Sequence, residues 1–292
     1  MRVALVALFI IFFGSVLCAA EEIKIGILAI RGYTACLERW GETGRYLSAK
    51  LGRTVTVVPL GIHMIDHAVE GKKVDFLLPN PSMFVEHEKK SGLVAVASMI
   101  NLSNGLPVTS LGGVIFTRAD SPINTLADIK GRRYAVVEFS SFGACQMQAR
   151  ELLQAGIDPS KDCSEYRELK KQDNVILAVK NGDMDVGSVR TDLLEKLEAE
   201  GQIKLSDFKI INAIKDDFPF VRSTRLYPEF PLARLAHTDD AISTALVSAL
   251  RALTPSDEAC KQAKIHGWTA PLDYSPVRDC LKEIKFGTFA DD

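Results

Sequence analysis

The sequence has 292 residues, with Lys plus Arg at 35 against Asp plus Glu at 37 and a formal net charge of −2. So even a balance leaves no basic footprint for a phosphate backbone or an anionic membrane surface, and nucleic acid is excluded as an expected partner. Hydrophobic residues make up 47% and charged residues 25%, a globular composition at a length that suits two ordinary domains better than one core.

Met1-Arg2 gives a short basic start, residues 3–17 form an almost unbroken apolar run, and Cys18-Ala19-Ala20 closes it with small residues. This is the pattern of a secretory signal peptide over 1–20, short of the about 20 apolar residues that span a bilayer. A lipoprotein signal places a small residue before the modified cysteine, whereas Leu17 stands there, so cleavage is expected after Ala20 and the mature protein in the periplasm. Cys36, Cys145, Cys163, Cys260 and Cys280 then enter a compartment where disulfides persist. Cys260 and Cys280 flank a short segment with prolines and aromatics and are the expected pair, a loop closure contributing about 3 kcal/mol in the chain-entropy view. Separate buried thiols are the alternative.

From residue 23 apolar runs alternate with amphipathic stretches. The pattern predicts strands over 23–30, 54–60, 74–78 and 94–100, with helices over 37–51, 62–70 and 81–90 between them. After a break at 105–107 a strand is expected over 112–117 and a short helix over 126–129. A second series gives a strand at 133–137, helices at 142–155 and 173–181, a strand at 184–188 and a helix at 192–200. A strand over 208–214, an extended aromatic stretch to Leu226, and helices over 239–252 and 257–265 complete it. Strands this apolar have both faces covered. The reading is α/β with two lobes, each a mixed sheet flanked by helices: lobe 1 from 21–113 plus 217–292, lobe 2 inserted as 114–216, and a hinge between.

In open α/β sheets ligands gather at the carboxyl ends of strands, where helix N-termini offer unpaired N–H groups. The loops that qualify carry Arg31, Gly32 and Cys36; Asn80, Pro81 and Ser82; Ser140, Ser141, Phe142 and Gly143; and Arg190 with Thr191. Two serine hydroxyls beside free N–H donors suit an oxyanion, although the same residues serve as an ordinary helix cap. The arginines offer bidentate contacts to an anion, and Trp40 either stacks on a ligand or anchors the first helix. His63 and His67 share a helical face, but no third ligand accompanies them, so no metal is expected. No cofactor loop or nucleophile motif stands out, and no enzyme activity is expected.

Ile25-Gly26-Ile27-Leu28-Ala29-Ile30-Arg31-Gly32, Val74-Asp75-Phe76-Leu77-Leu78-Pro79-Asn80-Pro81, Gly112-Gly113-Val114-Ile115-Phe116-Thr117-Arg118 and Ser141-Phe142-Gly143 resemble the phosphate/phosphonate-type periplasmic binding family. Val189-Arg190-Thr191-Asp192, Ser223-Thr224-Arg225-Leu226-Tyr227-Pro228 and Gly267-Trp268-Thr269-Ala270-Pro271 draw it closest, within that family, to the periplasmic sensor regions of tetrathionate-type histidine kinases. The resemblance implies a type II bilobal periplasmic binding protein, expected as a monomer, with a small anion in the cleft: a phosphonate, a phosphate-like ion or a sulfur oxyanion. It implies the permease of an ABC importer as partner, or, as the alternative, a free-standing ligand sensor acting with a membrane histidine kinase. Phosphonate binders carry a fuller Ser/Thr anion loop; here Phe142 interrupts the hydroxyls and Ala144-Cys145 follow.

Overall fold

The computed structural model describes residues 21–291, and the leader expected over 1–20, with Cys18, lies outside the described residues. The chain begins β1 (Ile23–Leu28), α1 (Tyr33–Leu51), β2 (Val55–Leu60), α2 (Ile65–Glu70), β3 (Phe76–Leu78), α3 (Pro81–Ser91), β4 (Val94–Ser103), β5 (Leu106–Val108) and β6 (Ser110–Leu111). It continues β7 (Gly113–Arg118), β8 (Arg133–Val136), a π turn (Phe142–Gln146), α4 (Met147–Gln154), α5 (Pro159–Asp162), β9 (Glu165–Glu168), α6 (Gln172–Asn181), β10 (Val186–Arg190), α7 (Leu193–Ala199) and β11 (Phe208–Ile211). It closes with β12 (Tyr227–Pro228), β13 (Pro231–Arg234), α8 (Asp240–Arg251), α9 (Glu258–Ala263), β14 (Ile265–Thr269) and α10 (Ser275–Glu283).

Two mixed sheets form two lobes. The first runs β14-β4-β13-β3-β1-β2 with β5 on β4, and the second β11-β7-β10-β8-β9. β1 pairs in parallel with β2 and β3, while β13 and β14 return antiparallel from the far end of the chain. Gly26 lets β1 lie between its neighbours, since a Cβ there would come within 2.7 Å of Leu60 and 3.1 Å of Leu77. A two-stranded ribbon of β6 and β12 carries both crossings between the lobes. The segment after β11 stays with the second sheet: Ile214 N–H donates to the Arg222 carbonyl, and the Ser223 hydroxyl accepts from Ile115 N and donates to Ile211 O.

Helices cover both faces of each sheet, which is why the strands read as continuous apolar runs. On one face of the first sheet Trp40 and Leu47 of α1 pack with Leu246 of α8 and Cys260 of α9. On the other, Phe84 of α3 packs with Val277 and Cys280 of α10, and this core continues into Phe142, Met147 and Tyr227. The pairing expected between Cys260 and Cys280 is therefore not made: both thiols are free and buried, in cores on opposite faces of the sheet, because β14 enters that sheet between them. The expected helix over 142–155 is broken at its start by the π turn, with Ala144 at φ −127° and ψ 15°. No helix among the described residues is long and apolar enough to cross a membrane.

Candidate anion-binding cleft

The strand ends of the two sheets face each other across a cavity of about 200 Å³. Its walls come from Ala29 and Ile30 after β1, Asn80 and Pro81 after β3, Val137, Glu138 and Ser141 to Ala144 after β8, Lys170 after β9, and Arg190 at the end of β10. Leu28, Ile62, Leu111, Phe142 and Phe230 give it a largely apolar body. A single water needs only about 10–15 Å³ on the same measure, so there is room for more than a bare oxyanion.

Helix N-termini border this space from both lobes. Asn80 caps α3, its Oδ1 accepting from Met83 N at 2.8 Å, while its Nδ2 donates to the Ser140 carbonyl at 3.5 Å and so joins the lobes. Ser141 leads into the π turn with no side-chain cap bond, which leaves its hydroxyl uncommitted. The first N–H groups of a helical turn lack intrahelical acceptors, and Phe142, Gly143 and Ala144, which line the cavity, occupy that position. Gly143 keeps this approach close, since a Cβ would come within 3.1 Å of the Arg190 Cβ and 3.4 Å of Leu111 and press on the Arg190 side chain. At the start of α6, Gln172 Oε1 accepts from Arg190 N at 3.0 Å and fixes that backbone.

Arg190 donates Nη2 to Glu229 at 3.2 Å and its Nε lies 3.4 Å from Asp192. Burial opposes its charge, but Asp192 and Glu229 overcome that and hold its pKa above the ordinary value. Glu229 is fully buried and also accepts from Asn101 Nδ2 at 3.1 Å. Arg39 adds a second positive charge nearby; burial, with the repulsion of Arg190, lowers it to about 10, so it stays protonated at neutral pH. At the other end of the 138–144 loop Lys170 pairs with Glu168 at 2.5 Å and lies 3.8 Å from Glu138.

Of the expected residues, Asn80, Pro81, Ser141, Phe142, Gly143 and Arg190 line the cavity. Ser140 contributes only its carbonyl, and Ser82 is buried in the first turn of α3 with its hydroxyl unpartnered. Thr191 faces the crossing, its hydroxyl accepting from Gly112 N at 3.1 Å. Cys36 and Trp40 belong to the core: Cys36 Sγ donates to Ile27 O, and Trp40 stands 6.2 Å from Trp268. Gly32 is the N-cap of α1 at φ 94°, and Arg31 is exposed at the rim, its charge acting on Arg39 and Lys196. Sequence reasoning missed Lys170 and Gln172, because β9, the strand that delivers them, has no apolar run to mark it, and it did not single out Glu138 in the loop after β8.

Two α/β lobes with strand ends and helix N-termini turned onto a small shared cavity define a two-lobed solute-binding fold. The family model for the phosphonate periplasmic substrate-binding protein of ABC transporters matches residues 25–275, and the chain belongs to that family. It is 30% identical over 264 residues to the tetrathionate sensor histidine kinase TtrS of Salmonella typhimurium, covering 90% of this chain and 43% of that one, so it spans less than half the relative's length. Among solved structures it superposes on a binding protein component of an ABC phosphonate transporter from Pseudomonas aeruginosa with a TM-score of 0.71 at 18% identity, covering 90% of this chain and 86% of that one. It superposes on PhnD1 of Prochlorococcus marinus, solved with methylphosphonate, with a TM-score of 0.70 at 14% identity, covering 90% and 98%.

Proposed function

We propose that this chain captures a small anion in the interlobe cavity, as an exported periplasmic monomer that serves the permease of an ABC importer and performs no chemistry on its ligand. The observation that carries this reading is the junction of Arg190 with the first turns of α3 and the π turn on one cavity. In it Asn80, Ser141, Gly143 and Arg190 hold the charged end of a phosphonate or sulfur oxyanion, with Lys170 and Gln172 at the second lobe's edge. Within this reading the second lobe, expected over 114–216, is taken to extend to Ser223, supported by the bonds of Ile214 to Arg222 and of Ser223 to Ile115 and Ile211. The apolar body of the cavity calls for an organic or otherwise weakly hydrated part on the ligand as well as a charged one.

A melting series tests this directly, because a ligand at 100 times its Kd stabilises the native state by about 2.7 kcal/mol. Phosphate, sulfate, methylphosphonate, longer alkylphosphonates, thiosulfate and tetrathionate are compared on the purified protein. In the alkyl series each added methylene is expected to tighten binding about fourfold until the cavity is full, from about 0.8 kcal/mol per buried CH₂. Phosphate binding as tightly as every alkyl compound removes the apolar part of the reading, and no shift with any oxyanion removes the site. A sensing role beside a membrane histidine kinase is the second reading, favoured by 30% identity to a sensor kinase against 14–18% to the two solved structures above. Stimulation of a kinase's autophosphorylation, rather than of a permease's ATPase, by the ligand-loaded protein selects it.

A further inference from the structure

Two of the helical segments whose N-termini border the cavity, α3 from the first lobe and the π turn from the second, are both tied to the same third helix. From the first lobe, α3 is joined to α10 by Arg278, which donates Nε and Nη2 to Glu88 at 2.7 and 2.9 Å. From the second lobe, the π turn, kinked at Ala144, leads directly into α4, and there Arg150 donates Nε to Glu283 of α10 at 2.9 Å and Nη2 to its other oxygen. Gln154, one turn further along α4, donates to Glu283 at 2.5 Å, and the third arm of Arg150, Nη1, donates to Tyr227 of the crossing ribbon at 3.1 Å. Cys280 of α10 also donates its thiol to the Gln146 carbonyl, the last residue of the π turn, at 3.7 Å.

We propose that Arg150 and Glu283 are positioning residues for ligand binding, which hold the Phe142–Gln146 turn at the cavity through α4 and fix the angle between the two jaw helices against α10. The inference rests on the cavity being the binding site. The Arg150 side chain is only 7% exposed while that of Glu283 is 40% exposed, so the arginine depends on this partner for its charge. Removing one member of such a pair leaves a buried charge uncompensated, a far larger effect than loss of a surface ion pair. Both polar atoms of the Gln146 side chain are buried with no hydrogen-bond partner among the described residues, so that side chain does not anchor the turn. Beyond its own backbone bonds, Gln146 N to Ser141 O and Met147 N to Phe142 O, the turn is held by Cys280 on the Gln146 carbonyl, Ser188 donating to Ala144 O at 2.9 Å, and Gln148 of α4 donating to Gly143 O at 3.0 Å. Arg150 and Glu283 themselves do not line the cavity, so an effect on the turn reaches it through α4 and through Cys280 of α10.

Amide hydrogen exchange on the full, ligand-free chain reads this without assuming any ligand. In Glu283→Gln the amides of 142–148 and 275–283 are expected to exchange at least about tenfold faster than in wild type, since an almost buried arginine has lost its counter-charge, while those of β1, β3, β7 and β10 keep their protection. Unchanged exchange at 142–148 overturns the proposal, as does a uniform rise across both sheets, which marks a merely structural pair. If Glu283→Gln does not fold, Glu283→Asp is read by the same criterion, since it keeps the charge but shortens the reach to Arg150 and Gln154. Failure of every oxyanion to bind removes the site and leaves this exchange pattern standing, so the two outcomes are distinguishable.

Discussion

Arg190 touches the cavity, the crossing and a buried carboxylate at once. Its Nη2 satisfies Glu229, its Nε leans on Asp192 and the Thr191 carbonyl, and among the described residues nothing accepts from its Nη1, which leaves donors for a ligand. An anion here meets an arginine already oriented by two carboxylates, and orientation before binding reduces the entropy lost on binding. The same pairing makes the residue structural. Arg190→Met leaves Glu229, fully buried, without its cation, and should lower stability by about 3–5 kcal/mol, seen as a fall in the urea midpoint. Arg190→Met combined with Glu229→Met replaces the pair by apolar groups and should recover most of that loss. A single variant with the wild-type midpoint would show that the ion pair contributes nothing to the fold.

The elements explain why the cysteines behave as they do. Burial pushes Cys145 and Cys280 up to about 12 and Cys36, Cys163 and Cys260 up to about 11. Only the thiolate is nucleophilic, so at pH 8 about one thiol in a thousand or fewer is reactive, and the native protein should modify slowly. Denatured without reductant, a chain beginning at residue 21 should titrate five thiols, and a count of three would restore the rejected disulfide. That disulfide was misread because β14 and α10 were hidden in the sequence. Pro276, one of the prolines in the segment between the two cysteines, occupies the first turn of α10, where a missing N–H costs nothing. β1, β3, β7 and β10 were legible because sheets covered on both faces leave unbroken apolar runs, whereas Glu165-Tyr166-Arg167-Glu168 of the edge strand β9 carries none. The cleft followed the same division. Loops after legible strands supplied Asn80, Ser141, Gly143 and Arg190, and those after β9 supplied the overlooked Lys170 and Gln172. Cys36 and Trp40 were drawn into the site by closeness in sequence, although with Thr43, Gly44 and Leu47 they form the buried stripe of α1 at intervals of three and four.

At the scale of the whole molecule the two lobes are held unequally on the two sides of the crossing. Away from α10, Asn80 to the Ser140 carbonyl at 3.5 Å and Asn104 to the Asp192 carbonyl at 3.2 Å are contacts that solvent replaces at little cost, and the Arg190–Glu229 pair is a buried polar tie between the lobes there. On the α10 side, Phe84 and Leu77 of the first lobe share one continuous core with Phe142 and Met147 of the second, and Phe142 meets Tyr227 of the ribbon edge-on at 5.0 Å. Chains of this size with two sheets often unfold in steps, each lobe melting as its own unit. A shared core opposes that, because melting either lobe strips apolar cover from the other. Calorimetry of the ligand-free protein should therefore give one transition, with calorimetric and van't Hoff enthalpies in agreement. At about 0.7 kcal/mol per residue near 60 °C, that enthalpy is on the order of 190 kcal/mol. Two resolved transitions would mean that the core through Phe142 and Tyr227 is too weak to couple the lobes, and α10 would then have no rigid second lobe to act upon.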